Sequence, residues 1–198
     1  MQNIRTHLRK IMRQKRQDLS STNQTLAANQ ALHQIKQFTP LQQADQIAIY
    51  ISTNGELNTQ PIIEHCWEEG KHVFLPVLHP FSKGQLLFLN YTPDTPMVAN
   101  KYGIKEPRLD VTQVIPISQL DVIFTPLVAF DSQGQRLGMG GGYYDRSLEP
   151  WYTSGKGALP VGLAHTCQQV DRLPVEQWDI PLPNIITPDR IWRWEIEH

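Results

Sequence analysis

The stretch from Asp121 to Arg146 constrains the fold of this chain more than any other part of it. It opens with the most apolar run in the sequence, Asp121-Val-Ile-Phe-Thr-Pro-Leu-Val-Ala-Phe130, which suits a buried strand; Pro126 predicts that the strand proper ends near Thr125. A loop from Asp131 to Gly142 follows, and a helix is expected to start at Tyr143 and run to about Leu148. Inside the loop, Arg136-Leu137-Gly138-Met139-Gly140-Gly141-Gly142 sets four glycines in five positions. Ordering so much bare backbone costs conformational entropy, so a compensating contact is expected. An anion supplies one: successive N–H groups can converge on a phosphate, and the following helix points the positive end of its dipole at the same spot. The other reading is a flexible turn between strand and helix. The segment is not a Walker A motif, since no Lys-Ser/Thr follows, nor a dinucleotide fingerprint, since the glycine spacing differs.

Charged residues bracket the loop. Arg136 offers the bidentate donors that suit phosphate, and Asp145 is a carboxylate of the kind magnesium takes alongside phosphate oxygens. The plainer alternatives are a surface arginine and an aspartate paired with Arg146, with Tyr143 and Tyr144 as packing residues.

The remaining pattern places this unit in an α/β fold. Ile4, Leu8, Ile11, Met12 and Leu19 recur at helical spacing, and a second helix follows Ser20-Ser21-Thr22 with Leu26, Leu32 and Ile35 inward and Pro40 beyond its end. Gln46 to Ile51 reads as a buried strand. Thr59 is expected to cap a helix carrying Ile62, Ile63, Cys66 and Trp67, which Gly70 stops before a strand from His72 to Val77. Strand, helix, strand in this order is a βαβ unit with parallel strands. Further strands are expected at Gln85 to Tyr91, Val161 to Ala164 and Ile191 to Trp194, with Pro93 to Arg108 as an irregular loop. The sum is a Rossmann-like, three-layer α/β sandwich with a mostly parallel sheet, a single domain over residues 1–198, with ligands gathered at the carboxyl ends of the strands.

Hydrophobic residues make up 40% and charged residues 19%, which fits a globular chain and excludes a disordered one. Cys66 and Cys167 belong to no C-x-x-C pattern, and the seven histidines show no metal-ligand spacing, so exposed or singly bonded histidines are expected. No signal peptide or membrane-spanning run stands at the amino end, so a soluble cytoplasmic protein is expected. The net charge of −1 conceals a basic start: Arg5, Arg9, Lys10, Arg13, Lys15 and Arg16 all precede Asp18. Arg5, Arg9, Arg13 and Arg16 share one helical stripe, whose like charges repel and which a polyphosphate would relieve; for Arg13 and Arg16 a solvated basic face is the expectation.

Taken together, Phe130 to Arg146, Leu8-Arg9, Gly55-Glu56-Leu57-Asn58-Thr59, Gly103-Ile104-Lys105-Glu106-Pro107 and Asp179 closely resemble the 5-formyltetrahydrofolate cyclo-ligase family, over nearly the whole chain. The resemblance implies that Arg136, Leu137, Gly138, Met139, Gly140, Gly141, Gly142, Tyr143 and Tyr144 bind ATP together with Arg5 and Arg9, and that Asp145 and Asp179 hold Mg2+. Arg5 stands where some members have lysine, and Met139 and Gly141 stand where some relatives carry basic side chains. The folate would meet Ile51, Glu56 and the Met139, Gly140, Gly141, Gly142 and Tyr143 part of the loop. Glu56 reads equally as a turn residue and as a carboxylate bonding a pterin N–H. Trp178 reads as a core anchor or a wall of the folate pocket, and Trp192 and Trp194 as packing residues.

The implied reaction uses ATP to close a ring. The formyl oxygen of 5-formyltetrahydrofolate attacks the γ-phosphate, N10 attacks the resulting imidate-like carbon, and phosphate departs to leave 5,10-methenyltetrahydrofolate. Such chemistry needs in-line placement and charge stabilisation rather than a covalent nucleophile. Arg136, Tyr143 and Tyr144 are the candidate catalytic residues. The partners implied are small molecules alone, with no nucleic acid and no membrane, and a monomer is expected. Another ATP-dependent phosphotransferase on the same scaffold is the alternative; a nucleic-acid module built on the basic first helix would leave the glycine loop unexplained.

Overall fold

The structure, a computed structural model, describes residues 2–196, so Met1, Glu197 and His198 lie outside the described residues. Three helices come first: α1 (Gln2–Gln17), α2 (Ser21–Lys36) and the short α3 (Thr39–Gln43). Then follow β1 (Gln46–Ala48), α4 (Gln60–Glu68), β2 (His72–Leu78), β3 (Leu86–Asn90), β4 (Met97–Ala99), β5 (Lys105–Pro107), β6 (Val114–Ile115) and β7 (Val122–Pro126). The chain closes with β8 (Ala129–Phe130), β9 (Arg136–Leu137), α5 (Tyr143–Ser154), β10 (Leu159–Leu163), β11 (Asn184–Ile186) and β12 (Ile191–Arg193).

Eight strands form one sheet in the order β12-β11-β10-β7-β1-β2-β3-β6. The five from β11 to β2 are parallel, and β12, β3 and β6 add antiparallel edges. Side-chain alternation divides the core between the two faces. Ile47, Val73, Leu75, Val122 and Phe124 pack with Ala31 and Ile35 of α2 and Ile62, Ile63 and Cys66 of α4. Their neighbours Ala48, Phe74 and Ile123 pack on the other face with Leu148 and Trp151 of α5. The expected three-layer α/β arrangement is therefore present, as is the parallel βαβ unit from β1 through α4 to β2. Trp192 and Trp194 stack at 6.1 Å against this second core, as packing residues. No helix of the described residues is long and apolar enough to cross a membrane.

Several local expectations are corrected. Ser20 caps α2, accepting the Asn23 N–H, but the Thr59 side chain does not cap α4: its hydroxyl donates to the Tyr50 carbonyl, and Asn58 Oδ1 accepts the Gln60 N–H instead. The 93–108 segment contains the β4–β5 hairpin. The largest revision concerns α1. Ile4 and Ile11 face solvent, whereas Arg5, Met12 and Arg16 are buried, so the arginine stripe turns inward; Arg13 keeps the expected solvated position and Arg16 does not. Met12 packs with Val128, Ala129, Leu137 and Leu173, which seats α1 across the ends of the strands.

Candidate active site

The sheet's strand order reverses between β1 and β7, because the chain proceeds from β1 to β2 on one side and from β7 to β10 on the other. Crevices form at the carboxyl ends of strands at such a point. Here a cleft of about 1100 Å3 opens, walled by Tyr50 and Ile51 after β1, Leu75 and Pro76 of β2, Pro126 of β7, the glycine loop, the β4–β5 hairpin and α1. Of the residues singled out in the sequence, Arg5, Arg9, Ile51, Glu56, Arg136, Gly138, Met139, Gly140, Gly141, Gly142, Tyr143, Tyr144, Asp145 and Asp179 all line it. Leu137 does not: its side chain is buried beneath α1, and its carbonyl accepts the Val128 N–H.

The loop's geometry follows from its glycines. Gly140, at φ 100°, and Gly142, at φ 64°, occupy backbone that L side chains rarely adopt. Gly142 is also the N-cap of α5, so no side chain caps the first turn of this 12-residue helix, which begins beside the cleft. Arg9 reaches the same loop, Nε donating to the Gly138 carbonyl at 2.8 Å. Burial and the neighbouring Arg5 pull its guanidinium down, against the opposing charge of Asp179. Arg146 does not pair with Asp145. It ties the loop down from outside, donating to the carbonyls of Gly84 at 2.7 Å and Gly141 at 2.5 Å.

Two arginine–aspartate pairs form the floor. Arg136, 4% exposed, donates from Nη2 to Asp145 Oδ1 at 2.6 Å, and Arg5 grips Asp179 with both Nη atoms while Nη1 also donates to the Pro174 carbonyl. Burial pushes the Asp179 carboxyl up, but the Arg5 hydrogen bonds, the Glu176 N–H and the charges of Arg5 and Arg136 together hold it below the usual aspartate value. The pairs differ in what they leave free. Asp145 Oδ1 takes Arg136 and the Ile180 N–H, leaving Oδ2 without a donor among the described residues, whereas both oxygens of Asp179 are occupied. No group of three or more His, Cys, Asp or Glu side chains able to hold a metal occurs among the described residues. Two carboxylates suit Mg2+, which completes its shell with phosphate oxygens and water; Asp145 keeps an oxygen open for such an ion, whereas Asp179 spends both of its oxygens on Arg5 and the Glu176 N–H.

Elsewhere on the cleft wall, Glu56 Oε2 accepts the Thr53 N–H at 2.9 Å and the Thr53 hydroxyl at 3.4 Å. Burial raises its carboxyl above the ordinary glutamate value despite Thr53 and the nearby Arg16. Tyr50 and Tyr144 stand close by, and burial pushes both phenols up, so they stay neutral hydrogen-bonding groups. Tyr50 falls inside the run that reads as strand interior, whereas the strand ends at Ala48 and leaves Tyr50 on the cleft wall. Tyr102 and Lys105 were missed because their segment read as irregular; the hairpin brings the Tyr102 hydroxyl 3.2 Å from that of Tyr143. Trp178 is 67% exposed and lines the cleft, so it is no core anchor. His165, expected at the surface or singly bonded, is buried with Nε2 unpartnered.

With this geometry in place, comparison with known proteins is specific. The model of the 5-formyltetrahydrofolate cyclo-ligase family matches residues 1–188. The 5-formyltetrahydrofolate cyclo-ligase of Escherichia coli K12 is 52% identical over 186 residues, covering 93% of this chain and 100% of the relative. That of Haemophilus influenzae is 50% identical over 185 residues, covering 93% and 96%. The NMR structure of Aquifex aeolicus 5,10-methenyltetrahydrofolate synthetase superposes with a TM-score of 0.81 at 28% identity, covering 98% of this chain and 97% of that one. The Mycoplasma pneumoniae 5,10-methenyltetrahydrofolate synthetase shares the fold, with a TM-score of 0.72 at 24% identity.

Proposed function

The chain belongs to the 5-formyltetrahydrofolate cyclo-ligase family, and from that premise we propose that it converts 5-formyltetrahydrofolate and ATP into 5,10-methenyltetrahydrofolate, ADP and phosphate in the cleft at the ends of β1, β2 and β7. The observation that carries this reading is that one cleft is lined both by a cationic glycine loop and by a buried carboxylate. The first suits a triphosphate, and the second suits the N–H groups of a pterin ring.

The glycine loop and the α5 amino terminus offer backbone N–H groups to the phosphates, while Arg9 and Arg136 supply charge where negative charge accumulates during transfer. Arg136 needs no reorganisation, being held in place by Asp145. Glu56 accepts from the pterin, Ile51 and Met139 supply apolar wall, and Tyr143 and Tyr144 close the space between the two ligands. The formyl oxygen then forms a bond to the γ-phosphorus as the bond to ADP breaks. N10 attacks the activated carbon, its proton is lost, and the C–O bond breaks to release phosphate.

Mg2+ would be held by Asp145 and Asp179 and would offset the negative charge of the phosphates. Monomeric, cytoplasmic action on small molecules completes the proposal. The test follows absorbance of the methenyl product in the near-ultraviolet together with ADP release. Product that appears only when folate, ATP and Mg2+ are all present supports it; ADP release without methenyl product points to the other reading, a phosphotransferase on this scaffold.

A further inference from the structure

One arginine of α1 is fully buried without lining the cleft. Arg16 is 0% exposed, its Nε donating to the Asn54 carbonyl at 3.0 Å and Nη1 to the Leu127 carbonyl at 3.3 Å. A single guanidinium thus joins the helix, the turn after β1 and the link after β7. Its remaining nitrogen, Nη2, has no hydrogen-bond partner among the described residues and stands 3.6 Å from Glu56 Oε1.

Glu56 is the one carboxylate within ion-pair distance of Arg16 among the described residues. A cation removed from water is costly without a counter-charge, and two neutral carbonyls do not provide one. Conversely, Thr53 holds Oε2, so Oε1 is the oxygen that Arg16 faces. The surrounding backbone is shaped for this approach. A Cβ at Gly55 would stand 3.0 Å from the Arg16 carbonyl oxygen, and Gln24 of α2 donates to that same carbonyl at 3.0 Å. The side chain of Glu56 keeps 11% of its surface open, and it lines the cleft.

We propose that Arg16 is a positioning residue for the folate end of the cleft: from behind the wall it supplies the counter-charge of Glu56 and fixes the direction in which that carboxylate meets the substrate. The inference rests on the reading of Glu56 as the folate-binding carboxylate. Arg16 thereby differs from Arg5, Arg9 and Arg136, which line the cleft themselves. The groups facing Glu56 are Arg16 from α1, Thr53 from its own turn, Tyr50 beyond β1 and Tyr144 from α5; His165, beyond β10, stands against the Gly55–Glu56 backbone and Arg16.

The test is a matrix of initial rates over 5-formyltetrahydrofolate and ATP for the native protein, Arg16→Gln, Arg16→Lys, Glu56→Gln and the double variant, with a thermal melt of each. Arg16→Gln is expected to raise the folate KM by about tenfold while the ATP KM moves by less than about twofold, and in the Glu56→Gln background to add less than about twofold. Lysine keeps the charge without the fork and is expected to fall between. Equal rises in both KM values, or the same fold-change with and without Glu56, would reduce Arg16 to a structural support and overturn the proposal. If Arg16→Gln does not fold, Arg16→Lys decides by the same split: a rise in folate KM alone supports, and anything else overturns. A Glu56→Gln variant with native folate KM would instead refute the reading of Glu56 on which the proposal stands.

Discussion

Arg136 and Asp145 form an ion pair, Nη2 to Oδ1 at 2.6 Å, that brackets the glycine loop at its base. The pair brings one residue from the strand before the loop and one from the helix after it, so the loop's two ends are clamped by a single contact. Arg136 is desolvated before any ligand arrives, which makes its charge a fixed feature of the site. Arg136→Lys keeps a charge but cannot reproduce a planar guanidinium, so kcat is expected to fall by about 100-fold. Initial rates with both substrates saturating check this, and a rate close to native would remove Arg136 from the phosphoryl-transfer role.

Asp145→Ala is expected to abolish turnover while leaving folate affinity within about twofold, because the proposed role of the carboxylate is to hold the metal beside the phosphates rather than to meet the folate. Calorimetric titration with 5-formyltetrahydrofolate reads the second half of that statement. Chelation of divalent ions should likewise stop the native protein, with activity restored by Mg2+. Native-like turnover in Asp145→Ala, or full activity after chelation, would dismiss the metal assignment.

The Arg5–Asp179 pair carries an acid-dependent share of stability. Asp179 is held below the ordinary aspartate value of 3.8 in the folded protein, so between the two values the unfolded chain binds more protons. The pair's contribution is therefore present above pH 3.8 and is lost as pH falls through the depressed value. Urea unfolding of native protein and Asp179→Asn over this range should show a gap in midpoint near neutrality that closes in acid. A gap unchanged with pH would mean that the pair is not the source.

Much of the sheet and of the glycine loop was legible because it rests on local pattern. The βαβ unit, the Asp121–Phe130 strand and the glycine loop opening α5 each announce themselves through apolar runs and glycine content. What was not legible depended on distance in sequence. Arg16 sits on a helix face with Arg5 and Arg9, and only the fold discloses that its partners are Asn54, Glu56 and Leu127 rather than water. Asp145 was weighed against its neighbour Arg146, yet its partner is Arg136, nine residues away. Tyr102 belongs to a hairpin of two three-residue strands, too short for alternation to register. Thr59 has the local pattern of a helix cap, but its hydroxyl is diverted to the Tyr50 carbonyl, a contact that only the fold creates.

Glu56 gives the last prediction, an acid limb specific to the folate. Burial raises its carboxyl above the ordinary glutamate value, and Thr53 and Arg16 oppose that rise without cancelling it. If the ionised form accepts the pterin N–H groups, kcat/KM for 5-formyltetrahydrofolate should decline as pH falls through this raised value, since kcat/KM reports the free enzyme. Glu56→Gln removes the titrating group and should flatten that limb. Arg16→Gln has the opposite signature: withdrawing a cation disfavours the carboxylate further, so the limb should move to higher pH rather than vanish. Each profile is recorded with ATP saturating, which keeps acid effects at Asp179 out of the comparison when the ATP profile is measured alongside. A limb that stays in place in both variants would assign it to a group other than Glu56.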